Sequence, residues 1–182
     1  MIDPGSTGFG SLLQQLDSSD TLTRRRARSD LSRLGLDLVR PATVALLSPD
    51  LSYRVRRGLA VALGEMLRDA KGQRAEAIAE IDDASLRQLL LLSTDVDRTI
   101  QIYAGEFLYD LGDPRVFRLV AGVWAEAPPD DGRYNLALAM KGAAPFVQPG
   151  EREGAQEILG GYIEQVGPQT GVLLRDAISL LR

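Results

Sequence analysis

The segment from Asp50 to Leu67, DLSYRVRRGLAVALGEML, determines the fold class of this chain. Its apolar residues recur every three or four positions, which places them on one face of an α-helix: Val55, Leu59, Ala62, Leu63 and Met66. Asp50 follows Pro49 and can accept hydrogen bonds from the free amide groups of the first turn, while Arg56 and Arg57 lie off the apolar face. We therefore predict a packing helix that buries one face and exposes its arginines.

Length and composition restrict the class of protein to which this helix can belong. The chain has 182 residues, of which 45% are hydrophobic, enough for one globular domain or a short repeat array and too many for a disordered chain. The formal net charge of −4 and the pI near 4.9 argue against a dedicated nucleic-acid binder, which usually carries an excess of positive charge.

The sequence contains neither cysteine nor histidine. This excludes disulfides, thiolate nucleophiles, imidazole bases and ordinary structural zinc sites, and we predict no catalytic residue, cofactor or metal site. No apolar run approaches the ~20 residues that span a bilayer, and the N-terminus lacks a secretory signal. We therefore expect a cytoplasmic protein without a membrane partner.

The same periodicity extends on both sides of the first segment. Residues 1–8 are rich in Gly, Ser and Thr and are predicted to be a disordered tail, followed by one domain over residues 9–182. Helices are predicted upstream at Phe9–Leu16, Asp20–Leu34 and Asp37–Leu47, with Gly35 as a stop signal. Downstream they are predicted at Arg74–Ile81, Ala84–Leu92, Asp95–Leu111, Pro114–Trp124, Asp131–Phe146, Glu151–Val166 and Thr170–Leu181.

No segment alternates β-branched and polar residues, so an all-α fold is predicted. The helices should share one apolar layer, whose predicted members are Leu31, Leu59, Leu63, Leu90, Ala104, Leu108, Val120 and Leu138.

One stretch carries a family resemblance. In Asp50–Met66 the order of an aspartate, a few residues, Val-Arg-Arg, a small residue and Leu-Gly resembles the first helix of a HEAT repeat. The resemblance extends from Phe9 onward and implies a short right-handed α-α superhelix of degenerate helix pairs that holds a protein or nucleic acid. The sequence departs from the pattern in a long insertion between Leu67 and Ala84, and in Ile100-Gln101 where the pattern has Val-Arg.

Arginines concentrate in the first third of the chain. Nine arginines and four aspartates between residues 20 and 57 give this segment a formal charge of +5. The resemblance implies a possible phosphate-binding surface, because some HEAT-like solenoids, including a class of bacterial DNA glycosylases, hold phosphate on basic concave faces. The candidate residues are Arg24, Arg25, Arg28, Arg54, Arg56 and Arg57. The alternative is that these side chains pair with neighbouring aspartates and contribute only to structure.

Trp124 and three pairs of aspartates are the other candidates for chemistry. An indole can anchor a ligand, but Trp124 shares a helical face with Val120 and Val123, which favours a core position. Paired carboxylates can bind a divalent cation or act as acid and base. Each pair precedes a predicted helix, which favours capping; the pairs are Asp82 with Asp83, Asp95 with Asp97, and Asp130 with Asp131.

The last predicted helix, Thr170–Leu181, is apolar on more than one side. If no further helix covers it, an apolar strip remains exposed, and solenoid ends normally carry a polar cap. We therefore predict either self-association as a homodimer or docking on another protein through this end, with Leu173 and Leu181 as anchors.

These features lead to two functional hypotheses. The first is a non-enzymatic HEAT-like scaffold that mediates protein–protein interaction. The second is a nucleic-acid-binding solenoid that uses the arginine-rich segment and would be related to the DNA glycosylases of this fold. The sequence does not name the partner.

Overall fold

The computed structural model describes residues 7–69, 72–129 and 131–182 of the chain. All regular elements in these ranges are helical, which confirms the all-α prediction. Residue contacts divide the chain into two compact units between Ser85 and Leu86. The predicted tail falls mostly outside the described residues, although the first helix already includes Thr7 and Gly8. The single domain over residues 9–182 stays a prediction.

The first unit is organised around its longest helix, α4, as the sequence predicted. Its helices are α1 (Thr7–Leu16), α2 (Thr21–Ser32), a 3-10 turn (Gly35–Leu38), α3 (Val39–Leu46), α4 (Tyr53–Asp69) and α5 (Arg74–Ala79). Helix α4 packs against α1, α2 and α3. All five residues of its predicted apolar face are buried, together with Leu31 of the predicted core.

The second unit is built on α10, which packs against α7 and α12. Its helices are α6 (Asp83–Leu92, which begins just before the boundary), α7 (Arg98–Leu111), α8 (Val116–Leu119), α9 (Ala121–Trp124), α10 (Asp131–Ala143), α11 (Arg152–Ile163) and α12 (Pro168–Leu180). Two 3-10 turns, Ala144–Phe146 and Pro149–Glu151, join α10 to α11. Helix α11 packs against α12.

Local sequence signals account for most helix ends. Gly35 and Gly112 have φ angles of 60° and 58°, the left-handed conformation that glycine adopts most easily at a helix stop. Asp20 caps α2, and its hydrogen bonds from Thr23 lower the pKa of the Asp20 carboxyl. The first turn of α4 was predicted to be capped by Asp50, but the helix begins later, and the Ser52 hydroxyl accepts a 3.4 Å hydrogen bond from Val55 N.

Two further predictions need correction. Pro114–Trp124 was predicted as one helix, but it is two short ones, because Val123 N donates to Val120 O three residues back and tightens the turn there. Leu138 was predicted to be in the core but is only half-buried. Leu136, Ala139, Met140 and Ala143 form the buried face of α10, and Leu138 lies at the edge of that face.

Replacing Asp97 with alanine should lower the free energy of unfolding by about 1 kcal/mol, because the first turn of α7 loses its cap. Asp97 Oδ1 accepts a 2.9 Å hydrogen bond from Ile100 N. Urea denaturation of the variant measures this loss. Asp97→Asn is the control, since asparagine caps equally well; if it loses as much stability, the cap is not the source.

Candidate functional site

The first candidate site is a cleft of about 660 Å³ in the second unit. It is lined by residues from the first five positions of α7, α10 and α12, and we call it the α7–α10–α12 cleft. Since α7 packs on α10 and α10 packs on α12, the beginnings of three successive helices contribute side chains to one surface.

Three buried polar side chains, one from each helix, line this cleft: Gln101, Asn135 and Thr170. Their exposed fractions are only 6%, 6% and 5%. Asn135 Nδ2 donates a 3.1 Å hydrogen bond to Ser93 O. The side chains of Gln101 and Thr170 make no hydrogen bond within the described part of the chain. The polar atoms of both side chains are not sealed off from solvent, so they have unused hydrogen-bonding capacity that is accessible from the cleft.

Gly105 fixes the position of Asn135 beside Gln101. A Cβ atom at Gly105 would lie 2.8 Å from Asn135 Oδ1, so a larger residue there would displace the amide. The close approach of α7 and α10 therefore holds Asn135 in the wall of the cleft.

The rim of the cleft offers both apolar and charged contacts. Ile102 and Tyr134 are each 39% exposed, while Arg98 and Asp131 supply opposite charges and are exposed. The cleft therefore presents hydrogen-bonding groups on its floor and mixed contacts on its rim.

Only a weak signal in the sequence indicated this cleft. Gln101 was noted because it departs from the repeat pattern, but no functional role was predicted for it. It lies between Ile100 and Ala104, both buried. A polar residue in such a position was the available signal, and it did not show that Asn135 and Thr170 lie in the same cleft.

The second candidate site is a pocket of about 350 Å³ in the first unit, between α2 and α4. We call it the basic pocket. Five of the six arginines that the sequence singled out line it: Arg24, Arg25, Arg28, Arg54 and Arg57. The sixth, Arg56, does not. No acidic residue is found among the described residues that line it.

One of these arginines has a structural role. Arg24 Nη1 donates to Ser18 O at 2.7 Å and to Ser19 O at 2.8 Å, and Arg24 Nη2 donates to Thr21 Oγ1 at 2.9 Å. Arg24 thus holds the turn between α1 and α2 and forms a fixed wall of the pocket.

Trp124 is a core residue, as predicted. Its ring stacks on Tyr162 with centroids 4.0 Å apart, and its Nε1 donates to Gln165 Oε1 at 3.2 Å. The guanidinium of Arg133 lies 5.7 Å from the ring centroid, and burial raises the pKa of the Tyr162 hydroxyl. Both the face and the N–H of the indole are therefore engaged within the protein.

Two of the three aspartate pairs supply hydrogen bonds at helix starts, as the capping interpretation predicted. Asp82 Oδ1 accepts from Ser85 N at 2.7 Å in the first turn of α6. Asp97 caps α7, and Asp95 Oδ1 accepts from Asp97 N at 2.8 Å. Asp130 lies outside the described residues.

The prediction that Leu181 is an exposed anchor is wrong. Leu181 is only 1% exposed, because α12 packs against both α10 and α11 and therefore needs apolar residues on two sides. Leu173 is half-buried. The exposed apolar residues of α12 are instead Val172 and Leu180. One of the two residues that were predicted to mediate self-association is therefore not available at the surface.

Within the residues that the structure describes, none of the helices combines the length and the hydropathy that crossing a membrane requires.

Comparison with known proteins supports the fold. No family model matches the sequence, and no curated protein does. Among solved structures, the chain is similar to a designed armadillo repeat protein in complex with the peptide (KR)4, with a TM-score of 0.55 and 11% identity. The match covers 94% of this chain and 80% of that one. Another designed armadillo repeat protein matches over 94% of this chain and 99% of its own, with a TM-score of 0.37 and 15% identity.

The first match shows a helical-repeat fold, as the sequence predicted. HEAT and armadillo repeats are close relatives in architecture, with two and three helices per repeat. The predicted HEAT-like character is therefore compatible with the match.

Proposed function

We propose that this protein is an interaction scaffold that binds an extended peptide segment of a partner in the α7–α10–α12 cleft. The observation that carries the proposal is the pair of buried, unpaired polar side chains, Gln101 and Thr170, on the floor of that cleft. A ligand can form a direct hydrogen bond with each group, and each such bond contributes about 0.5–1.5 kcal/mol.

An extended peptide suits this arrangement chemically. Every residue of such a peptide except proline offers one N–H donor and one C=O acceptor. The amide of Gln101 can donate and accept, and so can the hydroxyl of Thr170. These groups can therefore bind peptide backbone without requiring one particular sequence.

The spacing of the helices also favours a chain over a compact molecule. Packed helices lie ~8–10 Å apart, so three successive helices span about 16–20 Å. Roughly five or six residues of extended chain cover that distance. The designed armadillo repeat protein that shares this fold is bound to a peptide, which supports the same class of ligand here.

The proposal predicts that Gln101→Leu weakens peptide binding without harming the fold. Gln101 has no internal partner to lose, so the free energy of unfolding should stay the same or rise. Affinity for a peptide selected from a random library on the wild-type protein should fall by about tenfold or more, because a backbone group loses its partner. Fluorescence polarisation with the labelled peptide measures this change.

Gln88→Leu is the matched control, because Gln88 is exposed on α6 and does not line the cleft. It should leave peptide affinity unchanged. Amide chemical shifts should change at residues 98–102, 131–135 and 169–170 when the peptide is added. If the shifts map to another surface, or if Gln101→Leu binds as tightly as wild type, the cleft is not the peptide site.

A further inference from the structure

We infer that the basic pocket of the first unit binds a compact phosphate group, such as a phosphorylated side chain or a free pyrophosphate. This inference is independent of the peptide-binding proposal, because the two sites lie in different units and share no residue.

The first argument is the unsatisfied charge in the pocket. The guanidinium groups of Arg25, Arg28, Arg54 and Arg57 form no hydrogen bond or ion pair with any residue that the structure describes. Like charges held around one concavity repel each other. A bound anion would turn this repulsion into attraction, and the fixed guanidinium of Arg24 adds a fifth positive charge.

Several other basic residues of this chain have acidic partners. Arg33 pairs with Asp30 at 3.0 Å and Arg115 pairs with Asp113 at 2.6 Å. Lys141 lies 2.7 Å from Asp176, a hydrogen bond that raises the pKa of the lysine. The lining of the basic pocket, as far as the structure describes it, contains no carboxylate that could play this part.

The chemistry of arginine selects phosphate among anions. A guanidinium presents a planar fork of donors that matches two oxygens of a phosphate, and a dianionic phosphate can engage several forks at once. The first turns of α2 and α4 contribute Thr21, Tyr53 and Arg54 to the lining, and the positive ends of helix dipoles add to the attraction. Tyr53 is half exposed.

Size and charge balance favour a compact phosphate over a nucleic-acid backbone. The pocket is a local concavity of about 350 Å³, whereas backbone binding needs basic residues along a stripe. Residues 1–85 contain 12 basic and 12 acidic side chains, so the first unit has no net positive charge to attract a long polyanion.

The test is a titration followed through the arginine Nε–Hε signals in NMR spectra of the full chain. The probes are inorganic pyrophosphate, a short phosphoserine peptide and the same peptide without phosphate. We expect saturable shifts of the pocket arginines with pyrophosphate or the phosphopeptide and none with the unmodified peptide. Whichever phosphate probe binds tighter identifies the source of the group.

A double variant, Arg25→Gln with Arg54→Gln, removes one exposed arginine from each wall of the pocket. It should weaken phosphate binding by about tenfold or more, because hydrogen bonds to charged groups are lost. The control, Arg26→Gln with Arg40→Gln, removes the same charge from exposed arginines of the first unit outside the pocket. Its affinity should stay within about twofold of wild type if binding depends on the pocket rather than on net charge.

Three results would overturn the inference. One is the absence of saturable shifts with either phosphate probe at low salt. Another is an equal loss of affinity in the pocket and control variants, which would mean general charge attraction. The third concerns a short DNA oligonucleotide, used as a further probe. If it binds the same arginines more tightly than either phosphate probe, and with steep salt dependence, the pocket is part of a nucleic-acid surface.

Discussion

Gly142→Ala is expected to lower the free energy of unfolding of the second unit by about 3 kcal/mol or more, because the new methyl group would collide with the backbone of α7. A Cβ atom at Gly142 would overlap Tyr109 O and lie 2.7 Å from Tyr109 Cα. These are backbone atoms, so no side-chain rotation can relieve the collision, and α7 and α10 would have to move apart. Urea denaturation followed by the fluorescence of Trp124, the single tryptophan, measures the loss in this unit.

The control is the same substitution at Gly160, in α11. No atom lies within 4 Å of a Cβ placed there. Alanine is favoured over glycine inside a helix by about 0.5–1 kcal/mol, so Gly160→Ala should raise the free energy of unfolding. The same substitution should therefore lower the free energy of unfolding at Gly142 and raise it at Gly160. A neutral result at Gly142 would mean that α7 and α10 do not approach each other this closely.

The contact at Gly142 shows that close packing between two helices has no local signal in the sequence. Gly35 was predicted as a helix stop, because a glycine after a periodic apolar segment is a local signal. Gly142 lies inside α10 and carries no such signal, since its role depends on where α7 passes. Local patterns thus predicted most helix positions and several caps, but not the close packing between helices.

The same distinction separates the two candidate sites. Arg24, Arg25 and Arg28 are spaced to share one side of a helix, and Arg54 and Arg57 repeat that spacing in α4. Their concentration in the sequence was therefore a usable signal for the basic pocket. The α7–α10–α12 cleft combines single residues from three helices, such as Gln101 and Thr170, and only tertiary packing brings them together.

Leu181 shows how a correct pattern can lead to a wrong conclusion. The last helix is apolar on more than one side, and this was interpreted as a surface without a partner. Helix α12 instead packs against two neighbours, α10 and α11. Hydrophobic periodicity counts the apolar sides of a helix, but it does not say how many helices surround it.

Leu63→Ala is expected to lower the free energy of unfolding of the first unit by about 2–5 kcal/mol, through lost burial and the cavity that remains. Leu63 is 1% exposed and lies on the buried face of α4, the helix that packs against α1, α2 and α3. Because three helices depend on this face, the cavity cannot be closed by moving one neighbour alone. Urea denaturation followed by far-UV circular dichroism measures the loss.

Leu22→Ala is the matched control for this change, because Leu22 lies in α2 of the same unit but is 61% exposed. It leaves no cavity and should change stability by less than about 0.5 kcal/mol. The difference between the two variants then isolates the contribution of burial from the intrinsic helix propensities of leucine and alanine, since both positions are helical. A loss below about half a kcal/mol at Leu63 would mean that this face of α4 is not the core of the first unit.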